Sequence, residues 1–166
     1  MKPFWTRRLL PIALALGASN AQALCTGVCG CTVATTNMSF VNVNPLAATS
    51  APSTSTVTVS CGGVAGLFVS YSVAFSAGNS GSFATRKMVN GANQLAYNLY
   101  QDAGLTTVWG DGTGGSQSQS GGVTLVALGT YSQSFTVYGS IPLPQSTVAP
   151  SPTPYGDSIS VNVTYY

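Results

Sequence analysis

The sequence predicts an all-β protein, an antiparallel β-sandwich or small barrel of seven or eight short strands. Three observations predict it. Apolar and polar residues alternate over short runs, most clearly at Leu67, Val69, Tyr71, Val73 and Phe75 and again at Ile159, Val161, Val163 and Tyr165. Side chains alternate faces along a strand, so each run has one apolar face. Clusters of Gly, Pro, Ser and Asn separate the runs, which is turn chemistry. No window beyond residue 23 shows the 3.6-residue period of an amphipathic helix.

The first element is a leader. Lys2, Arg7 and Arg8 make a positive start, Leu9 to Ala18 is a short apolar run, and Ala21-Gln22-Ala23 has the small-x-small form of a cleavage site. A run of about ten apolar residues is too short to cross a bilayer. Residues 1–23 therefore read as a secretory signal and residues 24–166 as one domain.

Four cysteines follow, Cys25, Cys29, Cys31 and Cys61. An even count in an exported chain points to disulfides. Zinc is the rival, but there is no Cys-x-x-Cys pair and no His. Cys31 with Cys61 would tie the first strand to the second and close a loop of about 30 residues, worth roughly 3 kcal/mol or more. Cys25 and Cys29 would then form a small local loop. The swapped pairings stay open.

The strands come next. Thr32 to Phe40 reads as the first, ended by the turn Asn44-Pro45, and Ala47 to Ser55, with Pro52, as loop. Thr56 to Cys61 alternates, with Val57, Val59 and Cys61 on one face, and Gly62-Gly63 ends it. Leu67 to Phe75 is the longest alternating run, and Gly78 to Ser82 is a turn. Leu95, Tyr97 and Leu99 form another strand, Asp102-Ala103-Gly104 a turn, and Val108-Trp109 a short extended piece. Gly110 to Gly122 reads as an exposed mobile loop, and Val123 to Leu128 as a strand. Tyr131, Phe135, Val137 and Gly139 share a face. The prolines between Pro142 and Pro154 forbid a central strand or helix there. Asp157 to Tyr166 is the last strand.

Composition excludes several functions. Beyond the leader only Arg86 and Lys87 are positive, against Asp102, Asp111 and Asp157, a formal net charge of −1 with no Glu and no His. Nucleic-acid binding is not expected from such a chain. A surface of Ser, Thr, Asn, Gln and Gly has little charge to keep copies apart, which suits assembly or adhesion. No catalytic residues, metal ligands or cofactor are expected. A Ser/Lys pair on Lys87 would be a chance pairing in a serine-rich chain. Asp111-Gly112-Thr113-Gly114-Gly115 has one carboxylate where calcium needs several, so it reads as turn chemistry. Tyr71, Tyr97, Tyr131 and Trp109 are expected in or near the core; Tyr100, Tyr138 and Tyr166 are the candidates for exposure.

Leu95-Ala96-Tyr97-Asn98-Leu99-Tyr100-Gln101-Asp102, Trp109-Gly110-Asp111-Gly112-Thr113 and Val137-Tyr138-Gly139-Ser140-Ile141-Pro142 resemble the spore coat protein U domain family, which includes the Csu-type subunits of archaic chaperone–usher pili. Arg86 and Met88 stand where that family often has Arg-x-Met, and Cys31 and Cys61 match its usual cysteine pair. The resemblance runs over about residues 31–166. Two family patterns are altered, to Phe40-Val41-Asn42-Val43-Asn44-Pro45 and to Pro154-Tyr155-Gly156-Asp157, and Cys25 and Cys29 are additional.

The resemblance implies an immunoglobulin-like sandwich that lacks one strand. A periplasmic chaperone would lend that strand, and a neighbouring pilus or coat subunit would replace it on assembly at the usher. The accepting edge would be Ile159, Val161, Val163 and Tyr165, with Tyr166 in the chaperone contact. Leu24 to Gly30 hold only Leu24 and Val28 as apolar knobs, so this chain is expected to accept a strand and not to donate one, as a tip or terminal subunit. A two-domain adhesin is not expected at this length, and there is no membrane span once the leader is cleaved. The expected route is through the periplasm to a surface fibre or coat. The alternative is a stand-alone secreted β-sandwich that binds a surface or a carbohydrate.

Overall fold

The computed structural model describes residues 29–40, 43–149, 151 and 153–166. The expected leader, residues 1–23, and Cys25 lie outside them. Eight strands run in order as β1 (Cys29–Thr35), β2 (Ala51–Gly63), β3 (Leu67–Phe75), β4 (Arg86–Asn90), β5 (Asn93–Tyr100), β6 (Gln119–Leu125), β7 (Gly129–Ile141) and β8 (Val161–Tyr165). They form a five-stranded sheet in the order β1-β2-β7-β5-β4 and a three-stranded sheet in the order β6-β3-β8. The pairings between these strands are antiparallel.

The spine of the larger sheet is the pair β2 and β7, opposed over their full length from Ala51↔Ile141 to Gly63↔Gly129. Their inward residues, Val57, Val59 and Cys61 on β2 and Val137 and Ile141 on β7, are buried. The smaller sheet lays Val69, Tyr71, Val73 and Phe75 of β3 and Val123 and Leu125 of β6 against them. Trp109 completes the layer. Its ring stacks on Phe75 with centroids 4.5 Å apart, and its indole N–H donates to the carbonyl of Val73 at 3.0 Å, so neither the apolar nor the polar part is left unpartnered.

Cys31 and Cys61 are directly opposed across β1 and β2 and are joined by a disulfide, their Cα atoms 4.1 Å apart. Closing that 30-residue separation is worth roughly 3–4 kcal/mol on the chain-entropy account. Cys29 is also disulfide-bonded.

Five expectations about the elements need correction. The first strand is Cys29–Thr35 and not Thr32 to Phe40. β2 starts at Ala51 and includes Pro52. β1 reaches only as far as Val57 along β2, so Pro52 lies where β2 has a free side and its missing N–H breaks no ladder. The glycine-rich stretch is not loop to its end, because β6 begins at Gln119. There Gly121 and Gly122 lie under the rings of Tyr71 and Phe68, where a Cβ would collide with each. β6 stops at Leu125, short of Leu128. The last strand is shorter than Asp157 to Tyr166, because side-chain bonds hold the backbone at Asp157 and Ser160.

Two of the three tyrosines expected at the surface, Tyr100 and Tyr138, are half-buried. They oppose one another across β5 and β7 and shield each other. Tyr71 and Tyr97 are buried, and Tyr131 is half-buried against the core.

Candidate functional site: an open flank between the sheets

β8 is held from one side. It pairs with β3 from Tyr71↔Tyr165 to Phe75↔Val161, and Tyr166 extends the ladder by donating its N–H to the carbonyl of Ser70 at 2.9 Å. No strand among the described residues pairs with its other edge. β1 is likewise the edge of the larger sheet, paired to β2 alone. The two edges approach within 8 Å between Cα atoms, yet no backbone hydrogen bond joins them among the described residues. Neighbouring strands lie about 4.8 Å apart, so β1 and β8 are not a strand pair.

Beside this seam lies a cleft of about 410 Å³ that reaches down to core residues. Its walls are Thr35, Met38 and Phe40 on one side and Phe75, Ile159 and Val161 on the other, with Val57, Val137, Tyr97 and Leu99 of the larger sheet as floor. A second cavity of about 570 Å³ adjoins it beneath the proline-rich segment and shares Met38, Phe40, Met88 and Tyr155 as walls. An apolar cavity of roughly 150 Å³ accommodates benzene, so the cleft has room for two or three bulky apolar side chains.

The stretch after β1 shapes the cleft. Met38 and Phe40 lie across Gly139 of β7, where a Cβ would collide with both. Phe40 meets the Tyr97 ring edge-on at 6.2 Å. Thr36 ties the stretch to β2, donating its N–H to Thr56 O at 2.9 Å while its hydroxyl accepts from Thr56 N at 2.8 Å.

The residues expected at an accepting edge fall into three groups. Ile159 and Val161 line the cleft. Val163 is half-buried against the core without reaching it. Tyr165 and Tyr166 are 39% and 41% exposed at the far end of β8. Composition and periodicity gave no warning of Met38, Phe40 and Tyr155 as cleft residues.

A polar lattice lies behind the cleft. Arg86 is fully buried, and its guanidinium donates to Ser76 O at 2.9 and 3.2 Å, to Asn98 Oδ1 at 2.7 Å and to Trp109 O at 2.6 Å. These acceptors are all neutral. Burial lowers the pKa of Arg86, opposed by the fields of Tyr97, Asp157 and Tyr100. Asp157 receives the Tyr97 hydroxyl at 2.7 Å and the N–H groups of Asn79 and Ser158 at 2.9 and 2.8 Å. Burial, then the bond to Asp157, pushes the Tyr97 phenol well above its ordinary value. The adjacency of Arg86 and Lys87 held a clue: alternation places Arg86 on the face of Met88, inward, and Lys87 outward.

The other charged groups are in turns and on the surface. Asp111 caps Thr113 N and Oγ1 at 2.9 and 2.6 Å. Asp102 accepts from the N–H groups of Thr106 and Thr107; the bond from Thr107, then that from Thr106, holds its carboxyl below the ordinary range. Lys87 donates to Gln94 Oε1 at 2.8 Å on the surface. Among the described residues no group of three or more His, Cys, Asp or Glu could hold a metal ion, and no helix is long and apolar enough to cross a membrane.

The Spore Coat Protein U domain model matches residues 17–162 of the chain. No curated protein matches it. Among solved structures, the crystal structure of the CsuC–CsuE chaperone–tip adhesion subunit pre-assembly complex, from the archaic chaperone–usher Csu pili of Acinetobacter baumannii, is similar with a TM-score of 0.53 and 19% identity. The match covers 82% of this chain but only 39% of that one. At this identity the likeness is one of fold, two packed antiparallel sheets.

Proposed function

Since the chain belongs to the spore coat protein U domain family, we propose that it is an exported structural subunit of a surface pilus or coat, and that it takes up a strand from another chain at the open flank. The single observation that carries this reading is the edge of β8, unpaired among the described residues, beside a cleft in which Phe40, Val57, Phe75, Ile159 and Val161 offer apolar contacts. A sheet edge presents a row of N–H and C=O groups to an extended segment, and pockets for alternate side chains add selectivity. The solved complex similar to this chain is one of a chaperone with a tip subunit before assembly, which supports a periplasmic chaperone as the first strand donor and a neighbouring subunit, delivered at an usher, as the second.

A place at the tip or terminus rests on the leader reading. Cys29 and Gly30 are already paired in β1. Leu24 to Val28, just ahead of them, alternate too poorly to serve as a donated strand.

Export to the periplasm with and without a coexpressed chaperone of the same pilus class tests the reading. Degradation of the lone domain and its rescue as a one-to-one complex are the expected results. Val161→Asp, which puts a carboxylate in the cleft wall, is expected to abolish the rescue. Normal yield and thermal stability of that variant would overturn the strand assignment.

The alternative, a stand-alone domain that binds a surface, is favoured by a different feature. Val64, Phe68, Val126 and Leu128 are 42%, 56%, 71% and 83% exposed in and beside the neighbouring β2–β3 and β6–β7 turns. A stable monomer formed without any chaperone would put this reading first. Carbohydrate stacking on Trp109 is disfavoured, because that ring is 1% exposed.

A further inference from the structure

Two sequence motifs, Arg86 with Met88 and the Asp157 that precedes the last strand, are not explained by an apolar slot alone, although Met88 and Asp157 line the cleft. The structure brings Arg86 and Asp157 to the same short turn. Residues 76–79 follow β3, and both polar groups bind them. The guanidinium of Arg86 takes the carbonyl of Ser76 twice. Ser76 in turn holds the entrance of β8: its N–H donates to Ser160 O at 2.9 Å, and its hydroxyl accepts from Ser160 N at 2.9 Å. Three residues earlier in the chain, Asp157 spans from Asn79 N to the Tyr97 hydroxyl on β5. Its carboxylate lies over Gly78, whose φ is +67°, and a Cβ there would collide with it.

β8 needs such a hold. It is five residues long and paired on one side only. Slipping a strand by one residue moves every side chain to the opposite face. A slip here would turn Val161 out of the cleft and Val163 away from the core, and bring Asn162 and Thr164 to that face. The apolar contacts that would oppose the slip are weak, because Val161 and Val163 are only half-buried.

We infer that Asp157, with the pair Ser76 and Arg86 behind it, is a positioning clamp that fixes the register in which β8 offers its free edge to an incoming strand. The inference rests on the strand-accepting reading of the cleft. Asp157 and Tyr97 line the cleft, and the clamp acts on β8 from there, so it sets which side chains face the incoming strand before that strand arrives.

The test is amide hydrogen exchange, with binding of a fluorescein-labelled peptide of alternating Val and Thr ended by Lys, on the wild type and on Asp157→Ala, Asp157→Asn and Tyr97→Phe. A lost hydrogen bond to a charged group is worth about tenfold or more. Asp157→Ala should therefore speed exchange at Asn162, Thr164 and Tyr166, whose N–H groups face β3, about tenfold, with Val57 to Cys61 within about twofold of wild type, because local opening leaves the core closed. Peptide affinity should fall by about the same factor. Asp157→Asn should recover part of both effects. Tyr97→Phe, which keeps the other two bonds to Asp157, should give a smaller rise confined to β8, and it decides the matter if Asp157→Ala fails to fold. Exchange that rises equally in β2 and β8, or that stays unchanged in β8, would overturn the clamp. Failure of the wild type to take up the peptide would overturn the cleft reading, while the exchange comparison would still decide the clamp.

Discussion

Val59 and Val33 face each other across β2 and β1, and one is fully buried while the other is 36% exposed. Val73 and Val163 repeat the contrast across β3 and β8, the first fully buried and the second half-buried. In each pair the interior member has a strand on both sides, and the outer one belongs to the open flank. Alternation in a sequence therefore reports which face of a strand is apolar. Whether that face is covered depends on neighbours, and at the seam a neighbour is missing. The interior strands, the closed side of this contrast, are held by the Trp109–Phe75 stack and the Arg86 lattice, while β1 and β8 depend on one strand each, β1 with a disulfide and β8 with the Ser76 end of that lattice.

Breaking the closed side should have the largest effect. Arg86→Ala leaves Asn98 Oδ1 and the carbonyls of Ser76 and Trp109 without their donor. It is expected to cost about 3 kcal/mol or more, because each buried acceptor left without a donor costs about 1–3 kcal/mol, read by urea unfolding. Next comes the paired test of the two valines. Val59→Ala removes two buried methyl groups at about 0.8 kcal/mol each and leaves a cavity besides, whereas Val33→Ala should cost well under 1 kcal/mol. Equal losses would show that the seam is closed in solution. Gly139→Val drives a side chain into Met38 and Phe40 and should cost roughly 1–3 kcal/mol, with strand uptake weakened as the cleft wall is pushed aside.

The smallest effect is a pH dependence. The Tyr97 phenol is raised in the folded protein, so the unfolded chain loses that proton first. The associated stability is complete below about pH 10, the ordinary tyrosine value, and is lost as pH rises beyond it. Thermal melts from neutral to strongly alkaline pH should show that decline, and Tyr97→Phe should flatten it.

Much of the fold was legible. β3 has the bounds that its alternation predicted, since it is a central strand with one continuous inward face. The Cys31–Cys61 pair was favoured by the sequence, though the swapped pairings stayed open, and the structure has it. What escaped was set by non-local contacts. Pro52 reads as a loop residue unless it is known that β1 ends before reaching it. Ser120-Gly121-Gly122 reads as loop unless the rings of Tyr71 and Phe68 are known to lie above it. The cleft was half legible. Ile159 and Val161 were visible in the pattern of β8. Met38 and Phe40 were assigned to a strand because nothing local shows that the chain leaves β2 at Thr36. Asp157 looked like one end of a strand, and only the fold places it between Tyr97 and Asn79.

The disulfide between β1 and β2 has a mechanical side. Tension applied to the chain ahead of β1, as in a single-molecule pulling experiment, would meet that link early. Ahead of the covalent link only Cys29 and Gly30 of β1 lie in the ladder. A pull on that end can peel two residues before the load passes through sulfur into β2, and from there into thirteen opposed pairs with β7. Those pairs lie side by side along the strand direction and resist in shear, all sharing the force, where an unzipping edge would yield one bond at a time.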